Sequence, residues 1–203
     1  MNRFVFSLLF VIVSLTANYS VNAAALDQFR ILNHLDNYGN LDLRNKPYDE
    51  LPPGLVIKGN LNIAKASIKR LPEGIDIQGS LNASNSALRQ IDKGVNIKGF
   101  ANLLGAQIKR WPPGITVGGY LNLTDNPLTS LPPRLRVKGD LSVIRTPITK
   151  LPEGLIVDGN LYIGGSKLTE FPNTMTVKGN IYLGGNRITK WPSKLNLGGA
   201  VAP

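Results

Sequence analysis

The stretch 151-LPEGLIVDGNLYIGGSKLTE-170 is followed at once by a second of the same design, 171-FPNTMTVKGNIYLGGNRITK-190. The same phase recurs from Leu51 onward in units of 20 residues, without insertion or deletion. We number the positions of each unit from its first residue, which is in turn Leu51, Leu71, Ile91, Trp111, Leu131, Leu151, Phe171 and Trp191. A fixed period of this length predicts a stack of similar structural units.

Apolar residues follow a period of two within each unit. Positions 5, 7, 11 and 13 are apolar, and position 18 is apolar as well; in one unit these residues are Leu155, Val157, Leu161, Ile163 and Leu168. The alternation predicts extended chain with one buried face. A unit of this size cannot bury its apolar face alone, so neighbouring units must stack. The sequence therefore predicts a mostly all-β fold, a parallel β-solenoid resembling a leucine-rich-repeat array.

Glycine occupies position 9 of every unit, as Gly59, Gly79, Gly99, Gly119, Gly139, Gly159, Gly179 and Gly199. Position 9 belongs to the inward series, where a glycine leaves no side chain. We therefore expect a bend or bulge there, at a corner of the coil. Proline at position 2, present in every unit except the third, marks a turn.

Two stretches, 121-LNLTDNPLTSLP-132 and 181-IYLGGNRITKWP-192, carry the pattern LxLxxNxL before a proline turn. On these residues the units resemble the short leucine-rich repeats of bacterial proteins, such as the repeat part of effectors from Gram-negative pathogens. The resemblance covers residues 39–203 and implies protein binding and a secreted, virulence-associated role. Two departures stand out: the turn asparagine at position 16 occurs only as Asn126 and Asn186, and the convex segment GLxVxG predicts a second strand.

The array begins and ends with partial units. Residues 39–50 fit half a unit, seven full units occupy 51–190, and a partial unit occupies 191–203. Before the array, Leu26, Phe29, Leu32 and Leu35 recur at helical spacing. We therefore predict an amphipathic cap helix within 24–38 that covers the first coil.

The N-terminus predicts export. Arg3 precedes an apolar run from Phe4 to Leu15, and small residues suit a cut after Ala23, so residues 1–23 are predicted to be a signal peptide. The alternative is an uncleaved anchor, although the run is short for a bilayer span. A lipoprotein would need a cysteine, and the chain has none. We expect a periplasmic or secreted protein without a transmembrane span after cleavage.

The sequence carries no pattern that predicts catalysis. His34 is the only histidine and there is no cysteine, so no nucleophile and base can be paired around a serine. The carboxylates do not recur at one position, which argues against a metal stack and against glycosidase chemistry. The segments GGSK and GGNR lack the strand–loop–helix context of phosphate-binding loops. We expect no enzyme, no cofactor and no metal.

The repeats are the basic part of the chain, since residues 51–203 hold 19 bases and 8 acids whereas residues 24–50 hold 3 bases and 5 acids. Bases recur at position 8 (Lys58, Lys98, Lys138, Lys178) and at positions 19 and 20 (Lys69, Arg70, Arg89, Lys109, Arg110, Lys150, Lys190). Each set predicts a basic stripe along the solenoid, which would bind an acidic protein, an anionic glycan or lipid headgroups. Alternatively, the bases keep strand edges soluble. Nucleic acid is not expected, because no aromatic platform interleaves with the bases.

Position 12 points outward and changes along the array from asparagine to tyrosine, at Tyr162 and Tyr182. Position 10 adds Phe100 and Tyr120 on the same face. Exposed aromatic residues on a rigid sheet make good interface anchors, although cross-strand stacking would give them a purely structural role. Trp111 and Trp191 replace the first leucine of their units and are predicted to be core.

These observations predict an exported, non-enzymatic repeat protein that presents a rigid surface for protein binding, whether the partner belongs to a host or to the bacterial envelope. The alternative is a structural envelope or assembly protein that associates through an uncapped C-terminal end, or one that binds anionic glycan or lipid.

Overall fold

The structure is a computed structural model that describes residues 26–203. The predicted signal peptide, residues 1–23, lies outside the described residues. The described chain forms a parallel β-solenoid of 20-residue coils, with one short helix near its start. The predicted fold is therefore confirmed.

Sheet A runs the length of the solenoid and contains nine parallel strands. They occupy positions 11 and 12 of successive coils: β1 (Leu41–Asp42), β3 (Leu61–Asn62), β6 (Leu81–Asn82), β9 (Ala101–Asn102), β11 (Leu121–Asn122), β13 (Leu141–Ser142), β15 (Leu161–Tyr162), β17 (Ile181–Tyr182) and β19 (Val201–Ala202). Each residue pairs with its equivalent in the next coil, as Leu121 does with Leu141. Equivalent positions therefore form straight rows.

The predicted second strand is present at positions 6 and 7, and it forms two sheets. Sheet B contains β2 (Val56–Ile57), β5 (Asp76–Ile77), β8 (Asn96–Ile97) and β10 (Thr116–Val117). Sheet C contains β12 (Arg136–Val137), β14 (Leu155–Val157), β16 (Thr174–Val177) and β18 (Lys194–Leu197). The ladder is interrupted between β10 and β12, whereas sheet A is continuous across the same two coils.

A third ladder, at positions 20 and 1, is only partly formed. It contains β4 (Arg70–Leu71) and β7 (Gln90–Ile91), which make the two-stranded sheet D. Isolated parallel bridges join Arg110 to Ser130 and Glu170 to Lys190 farther along. Each coil thus has three sides, and the apolar residues of positions 5, 7, 11, 13 and 18 fill the space between them.

Two turns of the coil use left-handed backbone, and the second of them does so in all coils except the last two. At position 15 every residue from coil to coil has a positive φ: Asn45, Lys65, Asn85, Gly105, Asp125, Arg145, Gly165 and Gly185. At position 4 the left-handed residues are Gly54, Gly74, Gly94, Gly114, Arg134 and Gly154. The last two coils have Thr174 and Lys194 there, and their strands β16 and β18 lengthen to four residues. Loss of the left-handed residue thus lets the strand begin earlier.

The glycines of position 9 lie at a bend, as predicted, and the backbone of the preceding coil approaches them closely. A Cβ atom added at Gly139 would lie 2.7 Å from the backbone nitrogen of Tyr120 and 2.9 Å from the carbonyl carbon of Gly119. Both atoms belong to the preceding coil. Glycine is therefore needed because backbones approach closely along the stacking axis, not because of a crowded interior corner.

The cap differs from the predicted amphipathic helix. Helix α1 spans only Gln28–Leu32, beginning after Asp27, whose carboxylate accepts a hydrogen bond from the Arg30 backbone N–H at 2.8 Å. Leu26 and Ile31 are buried against the first coil, whereas Phe29 is exposed. Leu32 is exposed too, and Leu35 instead forms an antiparallel bridge with Leu41. The predicted apolar stripe was wrong because five helical residues are too few to carry it.

The two tryptophans have different surroundings. Trp111 is buried, which confirms the prediction that it belongs to the core. Trp191 is 42% exposed, so the same prediction for it was wrong. It packs edge-on against Phe171, with ring centroids 5.2 Å apart. Trp191 lies in the last coil, which has a neighbouring coil on one side only.

Candidate recognition surfaces

The outer face of sheet A carries two rows of side chains, at positions 10 and 12. In the first half of the solenoid, the side chains of position 12 form local hydrogen bonds. Asn62, Asn82, Asn102 and Asn122 each accept a hydrogen bond from the backbone N–H two residues ahead. These bonds close the turn that leads to the left-handed residue of position 15. Where tyrosine replaces asparagine, at Tyr162 and Tyr182, the turn contains two glycines instead. The Gly-Gly pairs of GGSK and GGNR are thus turn residues.

Position 10 forms a second hydrogen-bonded row that sequence reasoning missed. Its side-chain oxygens accept hydrogen bonds from the position-10 backbone N–H of the next coil, at 2.7 Å from Asn60 to Asn40 and at 2.8 Å from Asn180 to Asn160. The acceptors are Asn40, Asn60, Ser80, Asp140, Asn160 and Asn180. A recurring asparagine at position 10 was the available signal.

The aromatic residues interrupt both rows and stack in pairs. The rings of Phe100 and Tyr120 are parallel within 8°, with centroids 4.5 Å apart. Those of Tyr162 and Tyr182 are parallel within 3°, with centroids 4.7 Å apart. The Asn180 amide donates to the Tyr182 hydroxyl at 3.3 Å, so side chains of positions 10 and 12 meet on one face. Each ring covers one face of its neighbour, and all four rings remain partly exposed.

The hydroxyl groups of Tyr120 and Tyr162 stay protonated over the physiological range. Burial raises the pKa of Tyr120. Burial also raises the pKa of Tyr162, the nearby Asp140 carboxylate raises it further, and a hydrogen bond with the Asn160 side chain lowers it in part. A neutral phenol both donates and accepts hydrogen bonds. The outer face of sheet A thus presents two partly exposed aromatic pairs with polar tips.

The predicted lysine stripe at position 8 is interrupted. The lysines alternate with Gln78, Gly118 and Asp158 along the row, although Lys58, Lys98, Lys138 and Lys178 are all exposed. Lys98 donates to the Gln78 side chain, and the Lys178 ammonium lies 2.7 Å from the Asp158 carboxylate. Half of the row is therefore occupied by local contacts.

The bases of position 19 form a tighter group. Lys69, Arg89 and Lys109 occupy this position in three successive coils, and all three are exposed. The Arg89 backbone N–H donates to the Lys69 carbonyl at 3.0 Å, which fixes the two residues as direct neighbours. None of the three has an ion pair within the described part of the chain. Thr129, Thr149, Thr169 and Thr189 occupy position 19 in the following coils.

The remaining candidates for chemistry are separate from one another. His34 follows α1, and its Nε2 atom lies 3.0 Å from the Tyr48 hydroxyl. In residues 26–203 no group of three or more histidine, cysteine, aspartate or glutamate side chains could hold a metal ion. No helix within that range could span a bilayer.

Comparison of the chain with protein-family models, with curated proteins and with solved structures found no match.

Proposed function

We propose that this is an exported, non-enzymatic recognition protein that binds a protein partner through the outer face of sheet A. One observation carries the proposal: the two aromatic pairs are the only large apolar side chains in the rows of positions 10 and 12 within residues 26–203. Partly exposed aromatic rings supply contact area at a low cost in side-chain entropy, and tyrosine adds a hydroxyl group that can form hydrogen bonds.

The geometry of the face supports this role. Sheet A holds its strands in register over nine coils, so its side chains are preorganised for a partner. The two pairs stand two coils apart, which is about 10 Å along the axis at the usual strand spacing. Asp140 and Ser142 lie between them and offer hydrogen-bonding groups at the centre of the patch.

The finer assignment is also part of the proposal. The units are a form of the short bacterial leucine-rich repeat, with sheet A in place of the concave strand. Asn126 supports this, since its amide donates to the Leu103 carbonyl at 2.7 Å and its oxygen accepts from Ile108 at 2.9 Å. Export rests on the predicted signal peptide. Sequencing of the exported protein from Ala24 would support it, whereas an N-terminus at Met1 would contradict it.

Photo-crosslinking tests which face binds. A photoreactive phenylalanine analogue is placed at Ser142, between the aromatic pairs, and separately at Thr116, which is exposed on sheet B. We expect a discrete protein adduct from Ser142 in bacterial envelope or host extract, and none from Thr116. The same adduct from both positions, or adducts from Thr116 alone, would contradict the proposal.

A conservative variant separates binding from folding. Tyr162→Phe with Tyr182→Phe keeps the stack and removes both hydroxyl groups. We expect the Ser142 adduct to weaken while the melting temperature stays within a few degrees, because the ring stack is kept and the hydrogen bonds lost to Asn160 and Asn180 each contribute only about 0.5–1.5 kcal/mol. An unchanged adduct in the variant would show that the tyrosine hydroxyl groups take no part in binding.

A further inference from the structure

A groove runs along the side of the solenoid, away from sheet A, beside the bases of position 19. One part, of about 550 Å³, is lined by Lys69, Ala87, Arg89, Gln90, Gln107 and Lys109. The next part, of about 760 Å³, shares Arg89, Gln90 and Lys109 and continues past Arg110 to Trp111 and the paired prolines 112–113 and 132–133. Because the two parts share three residues, they form one open channel across four coils. We call it the position-19 groove.

The charges of the groove are uncompensated. Elsewhere in the repeats, five bases form ion pairs: Arg70 with Asp92, Lys93 with Glu73, Arg136 and Lys178 with Asp158, and Arg145 with Asp125. In the groove, Lys69, Arg89, Lys109 and Arg110 have no ion pair with any described residue. Four positive charges in a concave channel attract an anion more strongly than the same charges on a convex surface.

The distribution of the bases argues against a purely solubilising role. Protection of sheet edges would place charge along the whole array. Instead the bases of position 19 occupy three successive coils and threonine takes over at Thr129, while beyond Arg110 position 20 carries only the separate bases Lys150 and Lys190. The outermost of these three bases are about 10 Å apart along the axis at the usual strand spacing. This is a bounded site.

The walls of the groove indicate the class of ligand. Phe29, Leu32, Val56 and the other large exposed apolar residues lie elsewhere, and the exposed apolar side chains of the groove are prolines, so the groove lacks the large exposed anchors of a protein interface or a membrane-inserting surface. It also carries the amides of Gln90 and Gln107, which suit hydroxyl groups; the Gln90 amide nitrogen donates to Asp92 at 2.8 Å, so its oxygen is the group that can accept from a ligand. We propose that the position-19 groove binds a linear acidic polysaccharide, with anionic groups on Lys69, Arg89 and Lys109 and hydroxyl groups on the amides.

Binding of defined polymers to the purified protein tests the proposal, with heparin as a sulfated chain, polygalacturonate as a carboxylated chain and dextran as a neutral one. The groove variant is Lys69→Ser, Arg89→Ser, Lys109→Ser; the control, Lys58→Ser, Lys138→Ser, Lys167→Ser, removes the same charge elsewhere. We expect the groove variant to lose about tenfold to a hundredfold in affinity for at least one acidic chain, since each exposed ion pair contributes modestly. The control variant should lose about threefold in affinity at most, because salt screens charges that lie far from the groove. Dextran should not bind.

Equal losses in the groove and control variants would overturn the proposal in favour of general charge attraction. Stronger binding to polyglutamate, or to phosphatidylglycerol vesicles, than to either acidic polysaccharide would overturn it in favour of an acidic protein or a membrane surface. These outcomes are independent of the proposed function of sheet A.

Discussion

At the scale of single residues, glycine at position 9 and the polar side chain at position 10 are coupled. A Cβ atom at Gly79 would lie 2.5 Å from the Asn60 side-chain oxygen, and the same atom of Asn60 accepts a hydrogen bond from Ser80 at 2.7 Å. The glycine therefore leaves room for a side chain of the preceding coil to reach the next backbone N–H. The repeat shows the regular spacing of both residues, but a contact between coils cannot be predicted from one unit.

One substitution at two glycines tests this account. Gly139→Asn would drive a Cβ atom against the backbone of the preceding coil, and we expect it to destabilise the protein by about 1–3 kcal/mol or more. Gly114→Asn is the matched control: no atom lies within 4 Å of its Cβ site, and asparagine already adopts positive φ at Asn45 and Asn85. It should cost less than about 1 kcal/mol. Equal losses in chemical denaturation would contradict the account.

At the scale of elements, the interruption between β10 and β12 separates sheets B and C while sheet A continues. The two coils that meet there carry Pro112–Pro113 and Pro132–Pro133, and Arg134 holds a left-handed conformation that glycine holds in most other coils. The period of the sequence predicted both strands of each coil. It could not predict this break, because position 7 is valine on both sides and position 6 also holds polar residues, Asp76 and Asn96, in coils where the ladder is unbroken.

Hydrogen exchange tests the interruption. The backbone N–H of Lys98 donates to the Ile77 carbonyl at 3.0 Å, and that of Asp158 donates to the Val137 carbonyl at 2.9 Å. Lys138 occupies the same position of the coil but lies beyond the last strand of sheet B. We therefore expect its amide to exchange faster than those of Lys98 and Asp158. Equal protection at the three amides would show that the ladder is continuous.

At the scale of the whole molecule, the coils stack in register, so side chains at one position of the repeat form a row and neighbouring rows form a surface. The repeat predicted the rows, and the aromatic face and the position-19 bases could therefore be named from the sequence. The interruption of the position 8 row was also visible in the sequence, in Gln78 and Asp158, once the intervening residues are counted. The cap was not predictable in detail, because Asp27 begins a helix too short to follow the spacing of Leu26, Phe29 and Leu32.

The ion pairs between coils predict how stability depends on pH. Lys178 and Arg136 hold the pKa of Asp158 below its ordinary value of 3.8, and Arg145 does the same for Asp125. A carboxyl group with a lowered pKa in the folded state stabilises the fold above its ordinary pKa, and this contribution is lost as the pH falls through the folded value. We expect the contribution of these pairs to be constant between pH 8 and 5 and to fall below about pH 4. Asp158→Asn should reduce the loss of folding stability that accompanies acidification, as measured by chemical denaturation at each pH. A stability that rises on acidification below pH 4 would contradict this.

The central claim is that equivalent positions of successive coils form straight, evenly spaced rows. The chain contains no cysteine, so spin labels can be placed at position 8 through Lys58→Cys, Lys98→Cys, Lys138→Cys and Lys178→Cys in pairs. Pulsed electron paramagnetic resonance should give about 19 Å for the pairs 58/138 and 98/178, which are four coils apart, and about 29 Å for 58/178, which is six coils apart. Unequal distances for the two four-coil pairs, or a 58/178 distance that is not longer by about two coil spacings of 4.8 Å, would contradict the account.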